Sequence, residues 1–158
     1  IQSRPGIGTL VKMRLPVCEA AALSPEAEDA QGAPGASHVL RVLLVDDDEL
    51  IQTSLQALLR DLGHTVTPAL SGEEALAQLE AGLQADVVIL DINMPGLGGA
   101  GTLRRLRSLR PAVPVLLTTG RANQASQNLA EAYAKVTLLT KPFSVQELRQ
   151  YLEGVGRA

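Results

Sequence analysis

Apolar and polar positions change their period several times along this chain. Four short apolar runs stand out: Val39 to Val45, Val87 to Leu90, Val115 to Leu117 and Val136 to Thr140. They are rich in β-branched residues and too short for helices, so they read as strands of a buried parallel sheet. The first strand is expected over Leu40 to Val45, and His64 to Ala69 supplies a fifth. Between them the period becomes helical. Leu50, Ile51, Leu55, Leu58, Leu59 and Leu62 share one face of a helix from about Glu49 to Leu62, which Gly63 stops. Ser71-Gly72-Glu73-Glu74 reads as a capping box opening a second helix, with Ala75, Leu76 and Leu79 inward. Leu103, Leu106 and Leu109 mark a third, and Pro111 and Pro114 separate it from the next strand. A weakly apolar fourth helix is expected over Gln124 to Ala134. Ser144-Val145-Gln146-Glu147 caps a fifth that runs to about Leu152. The expected fold class is α/β: a five-stranded parallel sheet with helices on both faces, joined by right-handed crossovers.

Residues 39–158 carry this pattern. Residues 19–38 are rich in Ala, Pro, Gly and acid, show no sustained apolar period, and read as a flexible linker. Ahead of them, Val11, Met13 and Leu15 alternate with Lys12 and Arg14, which predicts a half-exposed strand. The chain opens on Ile1 rather than Met, so the expectation is a piece of a longer protein.

Composition narrows the function classes. A length of 158 residues suits one domain with a tail, and a net charge of -3 argues against a duplex-binding surface. Arg104, Arg105, Arg107 and Arg110 bunch together and are expected on the solvent face of the third helix. A single cysteine, Cys18, excludes an internal disulfide and a multi-cysteine metal site. No apolar stretch reaches membrane-spanning length. The expectation is a cytoplasmic fragment that touches neither nucleic acid nor membrane, although its parent could be membrane-attached.

The strand ends carry the candidate chemistry. The first closes on Asp46, Asp47 and Asp48, the third on Asp91, the fourth on Thr118 and Thr119, and the fifth on Lys141-Pro142. The carboxyl ends of parallel strands share one edge, where open α/β sheets bind ligands. Carboxylates, a hydroxyl and an ammonium therefore meet at one rim, a set suited to a divalent cation and a phosphoryl group. Asp91 is the candidate nucleophile, because a carboxylate can attack phosphorus and form an acyl phosphate. Asp46 and Asp47 face the same cavity, and clustered carboxylates need a cation or raised pKa values. Oxygen ligands point to Mg²⁺, with Mn²⁺ as a substitute. Lys141 and Thr119 are candidate donors to phosphoryl oxygens. Thr118 is expected to point away, since strand side chains alternate. Asp48 reads as solvated, or as part of an acidic helix N-terminus with Glu49.

Leu43 to Glu49, Asp91-Ile92-Asn93-Met94-Pro95-Gly96, Val115 to Gly120 and Thr140-Lys141-Pro142-Phe143 resemble the receiver domain of two-component response regulators, of the CheY-like type. The resemblance covers about residues 40 to 158 and implies the strand order 2-1-3-4-5. It further implies that Asp91 accepts a phosphoryl group from a phosphohistidine, assisted by Lys141 and Thr119. Asp47 and Asp91 would bind the metal directly, Asp46 through water, and Asn93 by its backbone carbonyl. The Lys141-Pro142 bond would be cis. Pro5-Gly6-Ile7-Gly8-Thr9, followed by Leu10 to Pro16, resembles the last strand of a histidine-kinase ATP-binding domain. That implies a remnant over residues 1–18, a hybrid sensor histidine kinase as parent, and a histidine kinase or histidine phosphotransfer domain as partner.

Two positions depart from the receiver pattern, and a third residue lies beside the site. Leu138 stands where receivers carry Tyr or Phe, Ala134 replaces a customary glycine, and Arg121 flanks the site. An aromatic switch is therefore impossible at Leu138, which keeps a silent docking module as an alternative. A haloacid-dehalogenase-like phosphohydrolase is a weaker one, because those enzymes need an acid where Asn93 stands.

Overall fold

In the computed structural model, residues 2–4, 8–10 and 38–157 are described, and the chain divides into two units, 1–35 and 36–158. In the first unit β1 (Gln2–Arg4) pairs antiparallel with β2 (Gly8–Leu10), Ser3 opposite Thr9. The alternation expected over Val11 to Leu15, Cys18, and the linker up to residue 37 lie outside the described residues.

The second unit alternates strand and helix in the expected order: β3 (Arg41–Val45), α1 (Glu49–Asp61), β4 (Thr65–Ala69), α2 (Gly72–Glu80), β5 (Val87–Asp91), α3 (Gly98–Leu109), β6 (Val115–Thr119), α4 (Gln124–Glu131), β7 (Val136–Thr140) and α5 (Val145–Gly156). The sheet runs β4-β3-β5-β6-β7, all parallel, which is the order 2-1-3-4-5 within this unit. Alternate residues of each strand feed opposite faces. Leu43 and Val45 join Leu76, Leu79, Leu103 and Leu106 on the side of α2 and α3. Val42 and Leu44 join Leu55, Leu59, Leu148 and Leu152 on the side of α1 and α5. The two central strands β5 and β6 are buried throughout, whereas the edge strand β7 is half-exposed. Each fully buried leucine of these layers contributes about 2 kcal/mol of hydrophobic stabilisation.

Several expectations are corrected. Leu50 is 80% exposed rather than buried. The buried stripe of α1 is Gln52, Leu55 and Leu59, and two residues back from Gln52 a helix has turned to its opposite side. α4 ends at Glu131, three residues before the expected Ala134, and α5 continues past Leu152 to Gly156. Arg107 does not face solvent. Its guanidinium donates to the carbonyls of Arg110, Val113, Ala134 and Lys135 and so ties the end of α3 to the loop entering β7. Burial lowers its pKa. Arg110 reaches back to the Leu79 carbonyl, and of the four arginines only Arg104 and Arg105 are exposed.

Caps place the helix starts. Asp48 is the N-cap of α1, accepting from the Leu50 and Ile51 amides at 2.9 and 3.2 Å. Ser71 caps α2 through the Glu74 amide, but Glu74 turns its carboxylate to the Leu70 amide, so only half of the expected box forms. Ser144 and Glu147 form the full box at α5. Before β7 the left-handed residue is Lys135, at φ 57°, and Ala134 is not.

Candidate functional site

The carboxyl ends of β3, β5, β6 and β7 meet as expected, and a lysine holds them together. Lys141 follows β7 through a cis peptide bond to Pro142. Its Nζ lies 2.7 Å from Asp46 Oδ2 and 3.0 Å from Asp91 Oδ1. Both acids are buried, at 2% and 5% exposure, and the shared ammonium offsets the cost of burying two such carboxylates. Burial works to lower the Lys141 pKa, but the bonds to Asp46 and Asp91 outweigh it and hold the pKa above its ordinary value.

Asp91 sits at the rim because β5 ends there and α3 packs hard against it. A side chain on Gly99 would stand 2.5 Å from the Ile92 Cα, and the Gly99 amide donates to the Ile92 carbonyl at 3.1 Å. Only glycine permits this approach. The loop between β5 and α3 is also pinned by Glu73, whose Oε1 accepts from the Leu97 amide at 2.8 Å. Hydrogen bonds from its own backbone amide and that of Leu97 lower the Glu73 pKa.

Thr119 is buried at the end of β6, and its hydroxyl is fully engaged. It accepts from Asn93 Nδ2 at 3.1 Å and from the Arg121 amide at 3.3 Å, and it donates to the Arg121 carbonyl at 3.1 Å. Thr118 does not point away from Asp91. Parallel pairing sets Thr118 beside Asp91, and its hydroxyl lies 3.5 Å from Asp91 Oδ1. Alternation along one strand could not reveal that lateral neighbour.

Asp47 is exposed at the same rim and is not drawn into the lysine-centred pair. Asn93 also reaches the site, its amide donating to Asp91 Oδ2 at 3.0 Å. Two contacts escaped the sequence reading: the Asn93 side chain on Thr119, and Gln52 on the Asp46 and Ala69 carbonyls. No short motif announces either one, because each acts on a group supplied by another element. The donors present are all oxygens. Among the described residues no three His, Cys, Asp or Glu side chains stand ready to hold a metal. Such a set fits an ion that takes one or two carboxylates and keeps several waters, the habit of Mg²⁺, and not one that needs a closed protein cage.

Among the described residues no helix is long and apolar enough to cross a membrane. Leu138 packs partly buried against the core on the α2 and α3 side, with no aromatic at that position.

Comparison with known proteins agrees with this geometry. The sequence profile of the response regulator receiver domain matches residues 42–153. The transcriptional regulatory protein ZraR of Salmonella typhimurium is 37% identical over 112 residues, 71% of this chain and 25% of that protein. The sensor kinase CckA of Brucella abortus is 33% identical over 153 residues, 92% of this chain and 16% of that protein. The chain thus spans a quarter or less of the length of these relatives. The chemotaxis protein CheY4 of Vibrio cholerae superposes with a TM-score of 0.68 at 31% identity, covering 74% of this chain and 98% of that one. A CheY-like receiver from Methanospirillum hungatei gives 0.67 at 27% identity, over 75% and 98% of the two chains. Profile, relatives and sheet order converge: the chain belongs to the response regulator receiver domain family of two-component signalling.

Proposed function

We propose that this receiver takes a phosphoryl group from a phosphohistidine onto Asp91. The observation that carries the reading is the Lys141 ammonium seated between Asp46 and Asp91, at 2.7 and 3.0 Å. An Asp91 oxygen attacks phosphorus, the phosphorus–nitrogen bond of the donor breaks, and the imidazole leaves with the bonding pair. Lys141 then meets the charge that stays on the phosphoryl oxygens, as a compact cation suited to one oxygen. The Thr119 hydroxyl donates to another once it releases the Arg121 carbonyl. Transfer of this kind needs alignment and charge neutralisation more than covalent help from the protein. A Mg²⁺ ion bound through Asp47, Asp91 and the Asn93 carbonyl, with Asp46 acting through water, would supply further neutralisation, and Mn²⁺ would serve in its place.

The fragment catalyses only its own phosphorylation and dephosphorylation. The breadth of the CckA match, 92% of this chain against 71% for ZraR, supports a hybrid sensor histidine kinase as parent. Residues 1–18 would then end its ATP-binding domain and 19–38 link it to the receiver. The partner is a histidine kinase or a histidine phosphotransfer domain, in the cytoplasm.

A second reading, a docking module that never carries phosphate, rests on Leu138, because no aromatic side chain couples the site to the outer face. One experiment tests the first. Intact mass is measured after incubation with acetyl phosphate, with and without Mg²⁺, for wild type and Asp91→Ala. A Mg²⁺-dependent gain of one phosphoryl group by wild type alone is expected. No gain in wild type leaves two readings, a receiver strictly dependent on its own kinase or the docking module.

A further inference from the structure

The acidic loop rests on a buried amide to which no part of the phosphoryl chemistry above gives a role. Gln52 lies on α1 and is only 6% exposed, in a stripe otherwise filled by leucines. Its Nε2 donates to the Ala69 carbonyl at 2.9 Å and to the Asp46 carbonyl at 3.4 Å. The Ala69 carbonyl also accepts from the Asp46 amide at 3.2 Å. The backbone amide of Gln52 donates to the Asp48 carbonyl at 2.8 Å. The side chain therefore holds the Asp46 end of Asp46-Asp47-Asp48, while the backbone bond to Asp48 is the first turn of α1 and would form with other residues there.

We propose that Gln52 is a positioning residue for the acidic loop, holding the backbone of Asp46 so that Asp46 and Asp47 face a divalent cation. The inference rests on the phosphoryl-acceptor reading and deepens it. Around Asp46 the other polar atoms are already fixed: Oδ1 accepts from the Asp48 amide at 3.0 Å and Oδ2 from Lys141 at 2.7 Å. The exposed Asp47 side chain has no such hold among the described residues, so its direction follows from the backbone on either side of it. A buried amide costs stability unless its hydrogen bonds are made, and an apolar side chain would fill this stripe without that demand. The amide spends its donors on two carbonyls at the sheet edge where the metal ligands begin. Partners of this kind behind a metal ligand orient it, and losing one weakens metal affinity by about tenfold or more.

The test uses Mn²⁺, whose free ion is counted directly by electron paramagnetic resonance, so the readout does not depend on turnover. Gln52→Met keeps the volume and removes both donors, and Gln52→Asn keeps the carboxamide donors on a stem one methylene shorter. Gln52→Met should raise the Mn²⁺ Kd about tenfold. Its thermal midpoint should stay close to that of wild type, and Gln52→Asn should bind Mn²⁺ more tightly than Gln52→Met. A Gln52→Met protein that binds Mn²⁺ as tightly as wild type, while wild type still gains its phosphoryl group, overturns the inference alone. If Gln52→Met does not fold, Gln52→Leu, apolar like the rest of the stripe, decides: folded and as tight in Mn²⁺ binding as wild type, it overturns the inference too. A wild type that neither binds Mn²⁺ nor gains a phosphoryl group overturns both this inference and the reading beneath it.

Discussion

Replacing Gly99 by alanine adds one methyl group at a tight backbone contact behind Asp91, the proposed acceptor. That Cβ would stand 2.5 Å from the Ile92 Cα and 3.1 Å from the Asp91 carbonyl carbon, where ordinary contact begins at 3.4 Å. Both neighbours are backbone atoms, so no side chain can swing aside. The start of α3 must lift, or the end of β5 must sink, by about 1 Å, at a cost of about 1–3 kcal/mol. Alanine favours a helix over glycine by up to about 1 kcal/mol, so the net loss should be about 1–2 kcal/mol. The displaced atoms belong to Asp91 itself, and a shift of about 1 Å at a reacting group can cost about 100-fold in rate. Urea unfolding reads the first quantity, and the rate of mass gain with acetyl phosphate reads the second. Gly154→Ala is the control: it lies within α5, nothing stands within 4 Å of its added Cβ, and it should stabilise by about 0.5–1 kcal/mol. A Gly99→Ala protein as stable and as fast as wild type would refute the argument.

Two further outcomes follow from single contacts. Lys135 holds a left-handed conformation at φ 57°, so Lys135→Gly should raise stability by about 0.5–1 kcal/mol, read as a higher urea midpoint. The His64 Nδ1 accepts from the Leu40 amide at 3.3 Å, and burial lowers its pKa below 6.5. Below pH 6.5 the unfolded chain then binds the proton more readily than the folded one. Its contribution to stability is present above pH 6.5 and is lost as pH falls through the lower folded value. Unfolding midpoints at pH 7.5 and 5, compared for wild type and His64→Gln, should show a smaller acid loss in the variant; equal losses would exclude His64 as the cause.

Much of the site was legible because it lies at strand ends. A run such as Val87 to Leu90 has only one place to go in a parallel sheet, and the residue that ends it must sit at the carboxyl edge. Asp46, Asp91, Thr119 and Lys141 were found this way, and the family motifs supplied the strand order. The misses share a cause of another kind. Leu50, expected inward, is exposed and Gln52 is buried because the azimuth of α1 about its axis depends on the sheet it packs against. Arg107 and Gln52 donate to backbone carbonyls of other loops, and Glu74 turns to the Leu70 amide instead of completing its box, which no periodicity records.

The sequence by itself determined the alternation of strand and helix, the apolar layers, the helix caps and the identity of the rim. These follow from short-range rules: side-chain period, β-branching, capping chemistry and the polarity of strand ends. Only the tertiary structure decided which side chains are neighbours across elements. It set Thr118 beside Asp91 through the register of β5 and β6, and seated Lys141 between two carboxylates separated from it by much of the chain. It also required glycine at position 99. Those facts depend on distances of a few ångströms between segments remote in sequence, and close packing of the whole domain sets such distances.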